Sequence, residues 1–260
     1  MYKRQGISYA WCWNCPDTFT ANGITAGRRN VDAGFSIVQY EGDDSNPRSI
    51  PHGLGKQVGW VILWNPGAND TTCFITGLPG TGTNTENLIW NTNEAASNQF
   101  GAGTQHTPTD ANNFIVGNSA GGSGVTGVNA DGVTYTAFCW APIDGYSAMG
   151  VYAGDGSEDG PFQYCGFKPA FVLIKSQGTD SWIVYDHKRE VHNPTDQVFQ
   201  VNLSDDSTNF TSGSNNIDIL ANGFKCRGTA GNMNGGNNYN WVAFAEHPFG
   251  GSGAAPATAR

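Results

Sequence analysis

The chain has 260 residues, 38% of them hydrophobic and only 13% charged, enough apolar material for one large core or two smaller ones under a neutral polar surface. Its formal net charge is −9, and Lys and Arg occur at best in scattered pairs such as Arg28-Arg29 and Lys188-Arg189, which excludes a phosphate-binding surface and with it nucleic-acid partners. No apolar stretch approaches the roughly 18 residues of a spanning helix, so no membrane insertion is expected.

Met1 to Gln5 fits nothing downstream and lacks the basic-then-apolar order of a secretion signal. It reads as a stray lead-in, and the chain is expected to be the C-terminal piece of something longer. Tyr9-Ala10-Trp11-Cys12-Trp13 follows as an aromatic, strand-like run. Residues 1–33 are therefore expected to hold a lead-in plus the closing strand of a preceding repeat.

From Gly34 onward the chain repeats itself. Gly34-Phe35-Ser36-Ile37 returns as Gly145-Tyr146-Ser147-Ala148, and Trp60-Val61-Ile62-Leu63-Trp64 returns as Phe171-Val172-Leu173-Ile174-Lys175. Asn113-Phe114-Ile115-Val116 returns as Gly223-Phe224-Lys225-Cys226, and Ala137-Phe138-Cys139-Trp140 as Ala243-Phe244-Ala245-Glu246. Two sister units are expected, 34–142 and 143–249, followed by a loose Gly/Ala/Pro tail at 250–260.

Within each unit the apolar runs are short, rich in Val, Ile, Phe, Tyr and Trp, and bounded by Gly, Asn, Asp or Pro, which is the pattern of strands. Val58 to Trp64 and Ala170 to Ile174 are nearly continuous, as in central strands buried on both faces. In the closing run, Phe138 and Trp140 point one way while Ala137 and Cys139 point the other. The only helical window, Asn91 to Phe100, is brief. The prediction is an all-β chain of internally duplicated β-sandwich units of jelly-roll type.

The repeated strings GFSIVQYEG, IPHGLG, WVILW, YTAFCWAP, GYSAMGVYAGDGSEDGPFQYCGFKPAFVLIK and WVAFAEHPF resemble a domain family of phage tail-fibre and other virion-associated proteins. The resemblance runs from about Ile7 to Phe249, and the ending from Ala243 to Phe249 is its most telling part. It implies a location on the virion surface after synthesis in the host cytoplasm. It further implies a role in host attachment or in tail and capsid architecture, other virion proteins and copies of itself as partners, a trimer being common in fibres, and no catalytic residues.

Several strings are candidates for chemistry. Six cysteines at irregular spacing suit free, buried thiols of a reducing cytoplasm, and Cys12-Trp13-Asn14-Cys15 sits on an expected strand rather than at the helix start that a redox pair needs. Asp155-Gly156-Ser157-Glu158-Asp159-Gly160 begins like a calcium loop, but its twelfth position is Gly166 instead of Glu. An acidic turn without cofactor is the simpler reading; Ca²⁺ held by Asp155, Ser157 and Asp159 is the alternative. Gly117-Asn118-Ser119-Ala120-Gly121 matches a nucleophile elbow, with Asp186-His187 as partners, yet further Gly and Ser follow where a helix is required. Carboxylates for glycoside hydrolysis exist among Asp155, Glu158, Asp159, Asp186, Glu190, Asp205 and Asp206, but sequence gives no separations. A polysaccharide hydrolase is therefore the weakest of three readings, and no enzyme is expected.

The aromatic residues favour a lectin-like adhesin as the alternative to a purely structural module, because sugar rings stack on indoles. Trp11, Trp60 and Trp140 are expected in the core. Trp64, beside Asn65-Pro66-Gly67, and Trp182, after Thr179-Asp180-Ser181, are expected to be partly exposed and are the candidate glycan contacts. His52 and His106 are expected to be solvated loop residues.

Overall fold

The computed structural model describes residues 12–65, 72–75, 80–81, 84–85, 87–90, 92–96, 110–117, 128–203, 208–209 and 214–248. All regular structure among them is strand, as the short β-branched and aromatic runs dictate. The first half holds β1 (Asp17–Phe19), β2 (Ala26–Asn30), β3 (Phe35–Glu41), β4 (Arg48–Pro51), β5 (Trp60–Trp64) and β6 (Thr72–Ile75). It continues with β7 (Gly80–Thr81), β8 (Asn84–Thr85), β9 (Leu88–Ile89), β10 (Asn113–Val116) and β11 (Thr134–Trp140). The second half holds β12 (Ser147–Ala153), β13 (Phe162–Tyr164), β14 (Pro169–Ser176), β15 (Ile183–Asp186) and β16 (Gln197–Gln200). It ends with β17 (Thr208–Asn209), β18 (Ile217–Leu220), β19 (Gly223–Cys226) and β20 (Asn238–Ala245).

A seven-stranded sheet in the order β1-β2-β3-β11-β5-β6-β9 faces the pair β10-β4 across one core; β7 and β8 form a separate hairpin. A six-stranded sheet, β12-β20-β14-β15-β16-β17, faces the sheet β13-β19-β18 across another. Strict alternation makes this division. Val61 and Leu63 of β5 point to Phe114 and Ile50, whereas Trp60 and Ile62 point the opposite way. The outward faces of the two large sheets then meet in a third, aromatic core, where Phe35, Trp60 and Trp140 join Leu173, Trp182, Val242 and Phe244. Trp60 and Trp140 stack there with centroids 4.0 Å apart. The two sandwiches are thus one stack of layers with a shared centre.

The strands β3, β11, β5 and β6 pair in the same order and sense as β12, β20, β14 and β15. Tyr40 stacks on Tyr135 and Tyr152 on Tyr239, at 5.2 and 5.1 Å. The hydroxyls repeat as well: Tyr40 donates to Val128 O and Tyr152 to Met233 O, while Tyr135 accepts from Ala130 N and Tyr239 from Gly235 N. This register sets Tyr135 against Tyr239, and so Phe138 against Val242, two residues away from the string match with Phe244. Gly42 and Gly154 hold matching places for one steric reason. A Cβ on Gly42 would lie 1.9 Å from Ala130 O, and one on Gly154 2.1 Å from Gly235 O.

One local expectation fails. Cys12 to Pro16 is coil, with Cys12 exposed, so no closing strand of an earlier repeat is formed by its described part. The brief helical window forms no helix where it is described, in keeping with the all-β expectation: residues 92–96 are coil or bend, and 91 and 97–100 lie outside the described residues. Cys15 is half-buried, and the remaining four thiols behave as expected: Cys73, Cys139, Cys165 and Cys226 are buried and unpaired, and burial pushes Cys165 and Cys226 up to about 12. Residues 1–11 and 249–260, His106 and Asp205-Asp206 lie outside the described residues.

Candidate functional site

The central aromatic core is open at one end. There the row Ile37–Phe138–Ile62, one residue from each of three adjacent strands, forms the floor of a groove of about 530 Å³. That volume suits a small organic ligand, for which pockets of roughly 300–1,000 Å³ are usual. Trp64 stands at the end of β5, one alternation beyond Ile62 on the same face, and is 46% exposed. In the same cross-strand row, Thr136 lies between Gln39 and Trp64, and Gln39 Nε2 donates to Thr136 Oγ1 at 3.5 Å. The groove therefore has an apolar floor and an indole at its mouth, and the cross-strand row that ends at that indole carries the buried Thr136 hydroxyl and, beyond it, the Gln39 amide.

The walls come from segments whose role was not legible. Trp13 packs edge-on to Trp140 at 5.2 Å and lies 5.7 Å from both Phe35 and Phe244. The coil that carries it is tied down by Arg28, which donates to Cys15 O and Pro16 O at 3.0 and 3.3 Å, and by Asn30 Nδ2, which donates to Asn14 O at 3.2 Å. Trp90 closes the other side, in contact with Trp60 and Trp182.

Trp182 is a correction. It is fully buried, donates Nε1–H to Ile89 O at 3.0 Å and packs on Trp90 at 4.8 Å, so it joins the two halves and offers no face to a ligand. Trp64, in contrast, is exposed as expected, and Trp60 and Trp140 are core. In the second half Lys175 occupies the place of Trp64 and Asn240 that of Thr136, both buried. Lys175 Nζ donates to Ser176 O and Gly178 O, and burial lowers its pKa to about 8. The equivalent face is packed shut.

The acidic loops are built around buried asparagines. Asn234 Nδ2 donates to Asp155 Oδ1, Ser157 O and Gly228 O at 3.2, 2.8 and 3.0 Å, and its Oδ1 accepts from Asp155 N at 3.0 Å. Asn129 does the same for the first loop, with Asp43 Oδ1 at 2.9 Å and Ser45 O at 2.7 Å. Of the three proposed calcium ligands, Asp155 faces this amide and Ser157 Oγ accepts from Asp159 N at 3.1 Å. Asp159 turns away to Lys225 and Arg227 at 2.7 and 2.9 Å; hydrogen bonding and charge from Lys225 hold its carboxyl below the usual range. Each of the three side chains thus has a different partner. Among the described residues no three His, Cys, Asp or Glu side chains gather as a metal group.

Of the other acidic candidates, Glu158 is exposed, while Asp186 and Glu190 are engaged. Asp186 accepts from Lys188 N and Arg189 N at 3.0 and 2.9 Å, and Glu190 Oε2 accepts from Thr195 Oγ1 and Asp196 N at 3.2 and 2.9 Å. His187 sits 3.5 Å from Glu246, which also pairs with Lys168 at 2.8 Å, at the rim of a second cleft of about 290 Å³. Ser119 lies outside the described residues. His52, expected in solvent, is buried; it accepts from Leu54 N at 3.3 Å through Nδ1.

The family described as a domain of unknown function, DUF7483, matches residues 3–248. No curated protein and no solved structure matches the chain.

Proposed function

This chain belongs to the DUF7483 family, and we propose that it serves as a structural and host-attachment module on the surface of a phage virion, making contact with host glycan through the Trp64 groove. The observation that carries this reading is the groove itself. It presents an exposed indole over an apolar floor, and the strand row that ends at the indole carries the uncharged side chains of Thr136 and Gln39. A pyranose ring has an apolar C–H face that stacks on an indole and a rim of hydroxyls that needs neutral polar partners. The low charged fraction of the chain, 13%, agrees with such a surface. The matching strand order and paired tyrosine and asparagine contacts of the two halves support their being sister copies, of which only the first keeps an open groove. The engagement of Asp155, Asp159, Asp186 and Glu190 in turns and ion pairs supports binding without turnover.

A glycan array with the purified chain, repeated with Ca²⁺ and with chelator, tests the contact; Trp64→Ala is the paired variant. Binding of a restricted set of saccharides that Trp64→Ala weakens by about tenfold or more, near 1.4 kcal/mol, is expected. Antibodies against the chain should decorate intact virions. A flat array removes the glycan contact, and particles that carry none of the chain remove the virion assignment.

A further inference from the structure

Among the described residues nearly every sheet edge is short. The edge strands β1, β4, β9, β10, β13, β17 and β18 have four residues or fewer. Short edges are one of the devices that keep sheets from pairing with other chains. The exception is β12, seven residues at the edge of the six-stranded sheet, with the sequence Ser-Ala-Met-Gly-Val-Tyr-Ala. It has no charge and no proline, and it runs in unbroken register with β20, so no bulge turns it away.

The ladder shows which backbone groups are open. Ala245 N donates to Tyr146 O at 2.8 Å and Gly154 N to Asn237 O at 2.9 Å. In an antiparallel pair the bonded positions alternate, so Tyr146, Ala148, Gly150, Tyr152 and Gly154 face β20. Ser147, Met149, Val151 and Ala153 turn their N–H and C=O groups to the free edge. Ile143 satisfies Ser147 in both directions, at 3.1 and 2.9 Å. Among the described residues nothing pairs with the other three, and Val151 is 42% exposed.

The first half of the chain covers the matching edge itself. With Tyr40 set against Tyr152, Met149 and Val151 correspond to Ile37 and Gln39 of β3, and these pair with Arg28 and Ala26 of β2. The chain supplies a strand at one edge and, among its described residues, none at the other.

We infer that β12 is covered by β12 of a second copy of this chain, antiparallel about a two-fold axis at Val151. Val151 then pairs with the partner's Val151, and Met149 with the partner's Ala153. This register uses all three open residues of both copies and leaves no donor or acceptor without a counterpart. The other edge strands, at four residues or fewer, do not span Met149 to Ala153. Two copies of a chain of net charge −9 also meet there along a segment without charge. Such a contact is isologous and closes at two.

Sedimentation and light scattering of the whole chain over a wide concentration series test this, with Val151→Lys and Val151→Pro as variants. The first places like charges opposite one another, and the second deletes the central outward N–H without touching a bond to β20. The expected result is a dimer for the natural chain and a monomer for both variants, with unchanged circular dichroism and a melting temperature that rises with concentration for the natural chain only. Amide exchange at Met149, Val151 and Ala153 should be slow in the dimer and fast in Val151→Lys. A natural chain that stays monomeric, association that survives both variants, or a closed trimer overturns the inference. None of these results depends on glycan binding, so the groove and the edge stand or fall separately.

Discussion

Asn234→Ala probes the reading of the acidic loop as an amide clasp. The side chain is fully buried; its two amide hydrogens are shared among three acceptors and its Oδ1 accepts one bond. At about 1 kcal/mol net for each of the two hydrogens and the accepted bond, the full loss is near 3 kcal/mol. Asp155 and Ser157 lie at the surface end of the clasp, where water can reach them after truncation, whereas Gly228 O lies deeper, so a loss of roughly 2–3 kcal/mol is expected. At about 2–4 °C per kcal/mol for a domain of this size, melting should fall by roughly 5–12 °C. Asn129→Ala in the first loop should cost a similar amount, because it makes the corresponding bonds to Asp43 and Ser45. Asn234→Asp should be no better than Ala, since it replaces a donor with a carboxylate facing Asp155. The assay is thermal and urea unfolding of the three variants beside the natural chain. An Asn234→Ala chain that melts within about 1 °C of the natural one would refute the clasp.

Further outcomes follow from the same geometry. Trp182→Phe removes the donor to Ile89 O and should cost about 1–3 kcal/mol; Trp182→Ala should cost about 3–5 kcal/mol, both read by urea unfolding. His52 is depressed by burial from 6.5 to about 4, with Asp110 opposing the shift only in part. Between those values the unfolded chain binds more protons than the folded one, so stability falls as pH falls, by about 1.5–2 kcal/mol from pH 7 to 5. A His52→Gln chain should lose that slope in denaturation measured across this window. Excess chelator or Ca²⁺ should leave melting within about 1 °C, because the amide of Asn234 and the cations of Lys225 and Arg227 already meet the loop carboxylates. A thiol reagent should label Cys12 at once in the folded chain and reach Cys73, Cys139, Cys165 and Cys226 only on unfolding, as followed by intact mass.

Local pattern was enough to determine the strands and their two faces. Val58 to Trp64 contains β5, Ala170 to Ile174 lies within β14, and the split of Phe138 and Trp140 from Ala137 and Cys139 is the split between two cores. These follow because side chains alternate along any strand, whatever lies above it. Repetition of the strings also anticipated that both halves would use one pairing order, although the register of the closing strand came out two residues away.

Only the tertiary structure decided what each face meets. Trp64 and Trp182 sit in similar settings, each next to turn residues at a strand end, yet one is 46% exposed and the other fully buried. The difference lies in Ile89 and Trp90, about ninety positions from Trp182 in the chain, which cover one indole and not the other. The groove likewise depends on a coil read as strand, because Arg28 and Asn30 hold it by backbone carbonyls that leave no trace in the residue pattern. Nothing next to Asn129 or Asn234 in the chain marks them, since their partners lie 86 and 79 positions away. Alternation is a property of neighbours along the chain. Burial of a strand end and closure of a loop are set by contacts distant in sequence, and those exist only once the sheets have docked.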